Sequence, residues 1–147
     1  MKNIKIINKT DFENPSYATA DSAGFDLRAN IESNIVIKPL ERVLVKTGIF
    51  MEIPKGCVGY VCTRSGMAIK KGLSVLNAPG VIDSDYRNEV GVILINLSNE
   101  DIEIIPGDRI AQMIISQYEK VNFEFINDEK EFSITERTGG FGSTGTK

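Results

Sequence analysis

Short runs rich in valine and isoleucine, each closed by a turn signal, recur from one end of the sequence almost to the other. They are NIKIIN (3–8), NIVI (34–37), ERVLVKTGIFMEI (41–53), CVGYVC (57–62), EVGVILINL (89–97), DIEII (101–105), RIAQMIISQ (109–117) and VNFEFI (121–126). β-Branched side chains fit a pleated sheet better than a helix, where they crowd the preceding turn. Several runs alternate apolar with polar residues, as NIKI and NFEF do, which is the period of a strand with one buried face. Between them stand NP (14–15), KP (38–39), PKG (54–56), APG (78–80), SNED (98–101) and PGD (106–108). These residue types fix φ, tolerate left-handed angles or hydrogen-bond their own backbone. The pattern predicts an all-β fold, a distorted jelly roll or β-sandwich. SGMAIKKG (65–72) has room for about two helical turns and is the one helical candidate. No repeat or linker divides the chain, and 147 residues suit one domain. The strand pattern stops near Phe132, so a β domain is expected over 1–132 and a flexible, glycine-rich arm over 133–147.

The chain has no histidine. That excludes Ser-His-Asp and Cys-His catalysis and removes the commonest transition-metal ligand. Any chemistry must run on carboxylates, arginine and lysine, backbone amides, and a hard cation held by oxygen. Cys57 and Cys62 fall in one strand, about 16 Å apart and on opposite faces, too far for a disulfide. The net charge of −3 argues against a nucleic-acid polymer as partner. No apolar run approaches the ~20 residues of a membrane helix. MKNIKIINKT lacks the apolar stretch of a secretory leader, so a cytoplasmic location is expected.

Polar and glycine residues cluster in five places. In AGFDLRA (23–29), Asp26 and Arg28 share one face of a strand, which alone also fits a solvated face. In TRSGMA (63–68), a cation, a hydroxyl and a glycine stand where a strand enters the helix. Helix N-terminal amides favour anions, and an arginine fork suits phosphate; a simple Ser65 cap fits equally well. NAPGVIDSDYRNEV (77–90) brings acids and a tyrosine after a Pro-Gly turn. There Asp83, Asp85 and Arg87 would share a face of an extended segment, and Asp83, following Val81 and Ile82, would be partly enclosed. In GDRIAQM (107–113), Gln112 interrupts an apolar strand and needs a hydrogen-bond partner if buried. The tail RTGGFGSTGTK (137–147) combines backbone that can curl around phosphate oxygens with hydroxyls, charge and one aromatic face. A base stacked on such a face gains ~1–3 kcal/mol.

Together and in this order, AGFDLRA, RSGMA, NAPGVIDSDYR, GDRIAQM and RTGGFGSTG resemble the five motifs of the trimeric dUTPase family, across residues 23–145. The resemblance implies hydrolysis of dUTP to dUMP and pyrophosphate with Mg²⁺, by a homotrimer with shared active sites. Such an activity keeps uracil out of DNA and supplies dUMP for thymidylate synthesis. Carried to the matching positions, Asp83 would hold the water that attacks the α-phosphorus and accept a bond from the sugar 3′-hydroxyl. A carboxylate is a weak base, so alignment and charge stabilisation would dominate. Tyr86 would pack on the deoxyribose and exclude a 2′-hydroxyl. Asn77, with Gly80, Val81 and Ile82 of the same hairpin, would read the uracil edge. Arg64, Ser65, Gly66 and Gln112 would cradle phosphate. Asp26 would support Mg²⁺ through water, the ion being held mainly by substrate phosphates. Arg137, Gly142, Ser143 and Thr144 would hold the β- and γ-phosphates while Phe141 covers the base.

Two departures stand out. Asn88 occupies the place of a usual glycine, and Asn tolerates left-handed angles. The tail is one residue short between Arg137 and Phe141. Other readings of the same fold are a dCTP deaminase-like enzyme, which GVIDSDY disfavours, and a regulatory nucleotide-binding trimer without activity.

Overall fold

The computed structural model describes residues 2–136 and Gly139. In chain order its elements are β1 (Lys5–Asn8), β2 (Gly24–Arg28), β3 (Ile35–Ile37), β4 (Arg42–Lys46), β5 (Ile49–Glu52), β6 (Cys57–Cys62), α1 (Ser65–Lys71), β7 (Leu73–Val75), β8 (Gly80–Ile82), β9 (Gly91–Asn96), β10 (Ile102–Ile104) and β11 (Arg109–Gln117). A short 3-10 turn comes later, at Glu129–Glu131. Every strand pairing is antiparallel. One sheet runs β2-β11-β6-β8, a second β4-β9-β7, and two ribbons join β1 to β5 and β3 to β10. The expected all-β architecture forms, with one short helix beginning at Ser65, and the sheets do not close into a barrel.

The core draws on every sheet. Alternation along β9 turns Val92 and Leu94 inward. They join Leu27 of β2, Met113 of β11, Met51 of β5, and Ile37 and Ile104 of the β3–β10 ribbon in one cluster. Burying a side chain of this size contributes about 1.5–3 kcal/mol. Two-stranded ribbons are marginal alone, so this shared cluster is what keeps them in place. Asn96 is a polar exception at the end of β9. It is fully buried, donates to the carbonyls of Ile37 and Glu100 at 2.8 and 2.7 Å, and accepts the N–H and hydroxyl of Ser98, both at 2.8 Å.

Three departures from the sequence reading have local causes. The run 41–53 is two strands, because Gly48 takes a left-handed φ of 69° between β4 and β5. A Cβ there would run into Thr10 Cγ2 and Asn30 Nδ2, so the break requires glycine. LSV and GVI are strands of three residues each, too short to show a period. VNFEFI (121–126) forms no strand: Phe123 and Phe125 are 82% and 91% exposed, with no core face to meet in a single chain. The cysteines behave as expected, both free on β6, Cys57 buried and Cys62 half-buried. Among the described residues no helix is long and apolar enough to cross a membrane.

Candidate active site

β11 lies between β2 and β6, and its register brings three of the polar clusters together. Gln112 pairs with Asp26 on one side and Cys62 on the other. Its amide donates to the Thr63 carbonyl at 3.1 Å, which supplies the partner a half-buried Gln needs. Two residues beyond Cys62, Arg64 reaches back so that its Nε lies 2.7 Å from Asp26 Oδ1. The same guanidinium donates through Nη1 to the Arg109 carbonyl at 3.2 Å. Arg109 closes the group, its Nη1 lying 3.3 Å from Asp26 Oδ2.

Arg109 reaches that face only because β11 is irregular. Residues three apart on a regular strand point to opposite faces. Between Arg109 and Ala111 the register against β2 shifts, Arg109 pairing with Arg28 and Ala111 with Leu27. The extra residue, Ile110, is buried, and Arg109 and Gln112 both end on the Asp26 side. A bulge re-aims side chains in this way. The result is a cleft lined by Asp26, Arg64, Ser65, Gly66, Arg109 and Gln112. One carboxylate faces two guanidinium groups there, leaving positive charge for an anion.

Ser65 and Gly66 also line this cleft. Ser65 is the first residue of α1 and does not cap it; the cap position is Arg64, without a side-chain bond. A Cβ at Gly66 would meet nothing within 4 Å. Packing within the domain therefore does not demand glycine at 66, and its missing side chain leaves room for a ligand at the cleft.

The remaining candidates lie along the edge strand β8. Ile82 pairs with Gly59, Val81 with Tyr60 and Gly80 with Val61. A Cβ on Gly80 would come within 3.2 Å of Asn77 Nδ2, so Asn77 folds closely over it. The Ala78–Pro79 peptide between them is cis. Asp83, following Ile82, comes level with Val58 of β6, whereas Arg64 lies beyond the opposite end of that strand, six residues on and roughly 20 Å away at ~3.3 Å per residue. Two expectations fail here. Ser84 and Asp85 form a turn, so Asp83, Asp85 and Arg87 do not share a face of an extended segment, and Asp83 is exposed in the single chain. The edge strand ends at Ile82, and among the described residues no element of the same chain encloses the carboxylate beyond it. Nor does the turn use Asn88 for a left-handed angle; among the described residues the non-glycine with positive φ is Leu40, at 64°.

The dUTPase family model matches residues 10–145. The deoxyuridine 5'-triphosphate nucleotidohydrolase of Aquifex aeolicus is 53% identical over 147 residues, covering 100% of this chain and 97% of that protein. The enzyme of the same name from Finegoldia magna is 48% identical over 142 residues, 97% of this chain and 98% of its own length. This chain belongs to the dUTPase family. A Staphylococcus bacteriophage 80alpha dUTPase variant solved with dUpNHpp superposes with a TM-score of 0.84 over 99% of each chain at 24% identity. A dUTPase variant of phage phi11, described with a structural Mg(II) ion, gives 0.77 at 20% identity, over 86% of this chain and 98% of its own. At such identities these two structures speak for the dUTPase fold alone.

Of the dUTPase-like candidates, Asp26, Arg64, Ser65, Gly66 and Gln112 are thus gathered in one cleft, while Asn77, Gly80, Val81, Ile82, Asp83 and Tyr86 lie on and around β8 and line none of it. Arg137, Phe141, Gly142, Ser143 and Thr144 lie outside the described residues. Arg109 is the addition that sequence reading missed. Its signal, a cation three residues before Gln112, reads as the wrong face unless a bulge is assumed.

Proposed function

We propose that the chain hydrolyses dUTP to dUMP and pyrophosphate at a site assembled from more than one subunit of a homotrimer. The observation that carries this reading is the cationic cleft formed by Asp26, Arg64, Arg109 and Gln112, drawn from three of the family's motifs. Arg64 offers a fork for phosphate oxygens, Ser65 a hydroxyl, and Gly66 an open approach. Asp83 holds a water in line with the α-phosphorus. The water oxygen bonds to phosphorus, the bond to the α,β-bridging oxygen breaks, and pyrophosphate leaves. Positioned charge in the cleft stabilises what builds on the phosphoryl oxygens, which is where such sites gain most of their rate.

Specificity falls to the β8 hairpin. Asn77 and the backbone of Gly80, Val81 and Ile82 read the uracil edge, and Tyr86 covers the deoxyribose against a 2′-hydroxyl. The arm residues Arg137, Phe141, Gly142, Ser143 and Thr144 close over the phosphates and base. Asp83 and Arg64 of one chain stand too far apart to serve one nucleotide together, which favours a site completed by neighbouring subunits. The exposed Phe123 and Phe125 offer apolar surface for such an assembly. A cytoplasmic location suits an enzyme of the nucleotide pool.

The residues fit Mg²⁺ held chiefly by the substrate. Among the described residues no group of three or more His, Cys, Asp or Glu could hold a metal. Asp26 has an oxygen on each of two guanidinium groups, which suits contact with the ion through water rather than direct ligation. When bound, the ion would neutralise phosphate charge and fix the chain of phosphates in one conformation.

The test is a substrate panel with Mg²⁺ and dUTP, dCTP, dTTP or UTP, monitoring pyrophosphate and ammonia. Pyrophosphate from dUTP alone is expected. Ammonia from dCTP would identify a deaminase, and nucleotide binding without any product a regulatory trimer.

A further inference from the structure

The loop from Asp83 to Glu89 carries the residues assigned to water and sugar, yet its backbone ties are mostly to itself. Tyr86 N–H donates to the Asp83 carbonyl at 3.2 Å, and its hydroxyl donates to the Glu89 carbonyl at 3.0 Å. Arg87 donates to the carbonyls of Ser84 and Tyr86 at 2.8 and 2.9 Å. Among the described residues the bond that joins this loop to the rest of the domain comes from Glu89, whose carboxylate accepts the Gly48 N–H at 2.7 Å. Gly48 is itself held firmly. Its carbonyl accepts Lys9 N–H at 2.9 Å, and its left-handed φ admits no side chain beside Thr10 and Asn30. Immediately after Glu89 the chain is buried: the Val90 carbonyl accepts the Thr47 hydroxyl at 2.6 Å, and its N–H donates to the Ile49 carbonyl at 2.8 Å.

We propose that Glu89 is a positioning residue, a strut from the β4–β5 break to the Tyr86 loop that sets how closely the tyrosine ring approaches the sugar. The inference rests on the assignment of Tyr86 to the deoxyribose. Both ends of Tyr86 are held by carbonyls of the loop, so the ring goes where the loop goes. The far end of that loop is held at two adjacent points, the Val90 N–H on the Ile49 carbonyl and the charge-assisted bond from the Gly48 N–H to the Glu89 carboxylate. Without the carboxylate bond, the Glu89–Val90 peptide keeps only its N–H anchor and can tilt, shifting the carbonyl that holds the Tyr86 hydroxyl and loosening the wall that meets the 2′ position. Nothing in this role needs proton transfer; an uncharged acceptor of the same length should serve.

The experiment compares kcat/KM for dUTP and UTP in the wild-type enzyme and in Glu89→Gln, Glu89→Ala, Glu89→Asp and Tyr86→Ala. Loss of one hydrogen bond to a charged group should lower the dUTP-over-UTP ratio about tenfold in Glu89→Ala. The change should come as lower kcat for dUTP with a smaller effect on its KM. Glu89→Gln keeps an acceptor in place and should stay within about twofold of wild type. Glu89→Asp, one methylene too short, should fall with Glu89→Ala, and serves alone should the alanine variant not fold. If Tyr86→Ala collapses the ratio while both shortened variants keep it, the strut is wrong and the sugar assignment stands. If Tyr86→Ala leaves the ratio unchanged, the sugar assignment fails first.

Discussion

Arg109 and Gln112 share one face of β11 although they stand three positions apart, and both meet Asp26 of the neighbouring strand. The single-residue bulge at Ile110 makes this possible. It buries an isoleucine that would otherwise alternate outward and delivers a second guanidinium to the Asp26 carboxylate. A structural irregularity here adds a charge to the cleft proposed to hold phosphate.

Asp26→Asn is therefore expected to damage function far more than folding. The Asp26 and Arg64 side chains are 32% and 28% exposed, and pairs at such depth contribute about 0–1 kcal/mol. Thermal unfolding of the variant should shift by no more than a few degrees. Removing the carboxylate leaves Arg64 and Arg109 without the group that orients both, and removes the outer contact proposed for Mg²⁺. Turnover of dUTP should fall about 10–100-fold, since small misplacements in such sites cost factors of that size, and more Mg²⁺ should be needed for half-maximal rate. Steady-state kinetics over a Mg²⁺ series, beside calorimetry, read both effects. Normal kinetics would remove Asp26 from the site.

Asn96 carries the opposite expectation, stability without function. Its side chain satisfies two carbonyls and one backbone N–H at the junction of β9, the β3–β10 ribbon and the 98–100 turn. Asn96→Leu fills the space but leaves the buried Ile37 carbonyl unpaired, at about 1–3 kcal/mol, and strips a partner from two part-buried groups. Denaturant unfolding should show a loss of about 1–3 kcal/mol, with the dUTP KM of the folded fraction unchanged. A neutral substitution would mean that water reaches the junction.

The range of each signal decides how much of the fold and site the sequence reveals. RIAQMIISQ is legible because the PGD turn bounds its start and its nine residues are enough to read as a strand. The five clusters are legible because their residue types contradict the apolar strands around them. The bulge at Ile110 is not, since every residue in RIAQ suits a regular strand. Glu89 reads as ordinary surface charge until the fold sets Gly48 opposite it. VNFEFI shows the converse limit: its alternation is real, yet a strand requires a neighbour, and one chain does not supply it. Asp83 meets the same limit: the sequence announces an enclosed carboxylate, and the described residues of one chain leave it exposed.

The proposed sharing of sites carries a quantitative prediction for mixed trimers. Asp83→Asn alone should lower turnover about 10³-fold, as loss of a positioned base does, while a non-cleavable dUTP analogue still binds. A chain ending after Phe132 lacks the arm and should be equally inactive. Coexpressed in equal amounts, the two form mixed rings with cyclic symmetry. If Asp83 and the arm at one site come from different subunits, a site is intact when its Asp83 is from the truncated chain and its arm from the Asp83→Asn chain. Random assembly gives about a quarter of all sites that combination. Recovered activity near a quarter of wild type, in trimers verified by mass, is the expected result. If both parts of a site come from one subunit, no mixed ring contains a complete site, and activity would stay at the level of the two parents.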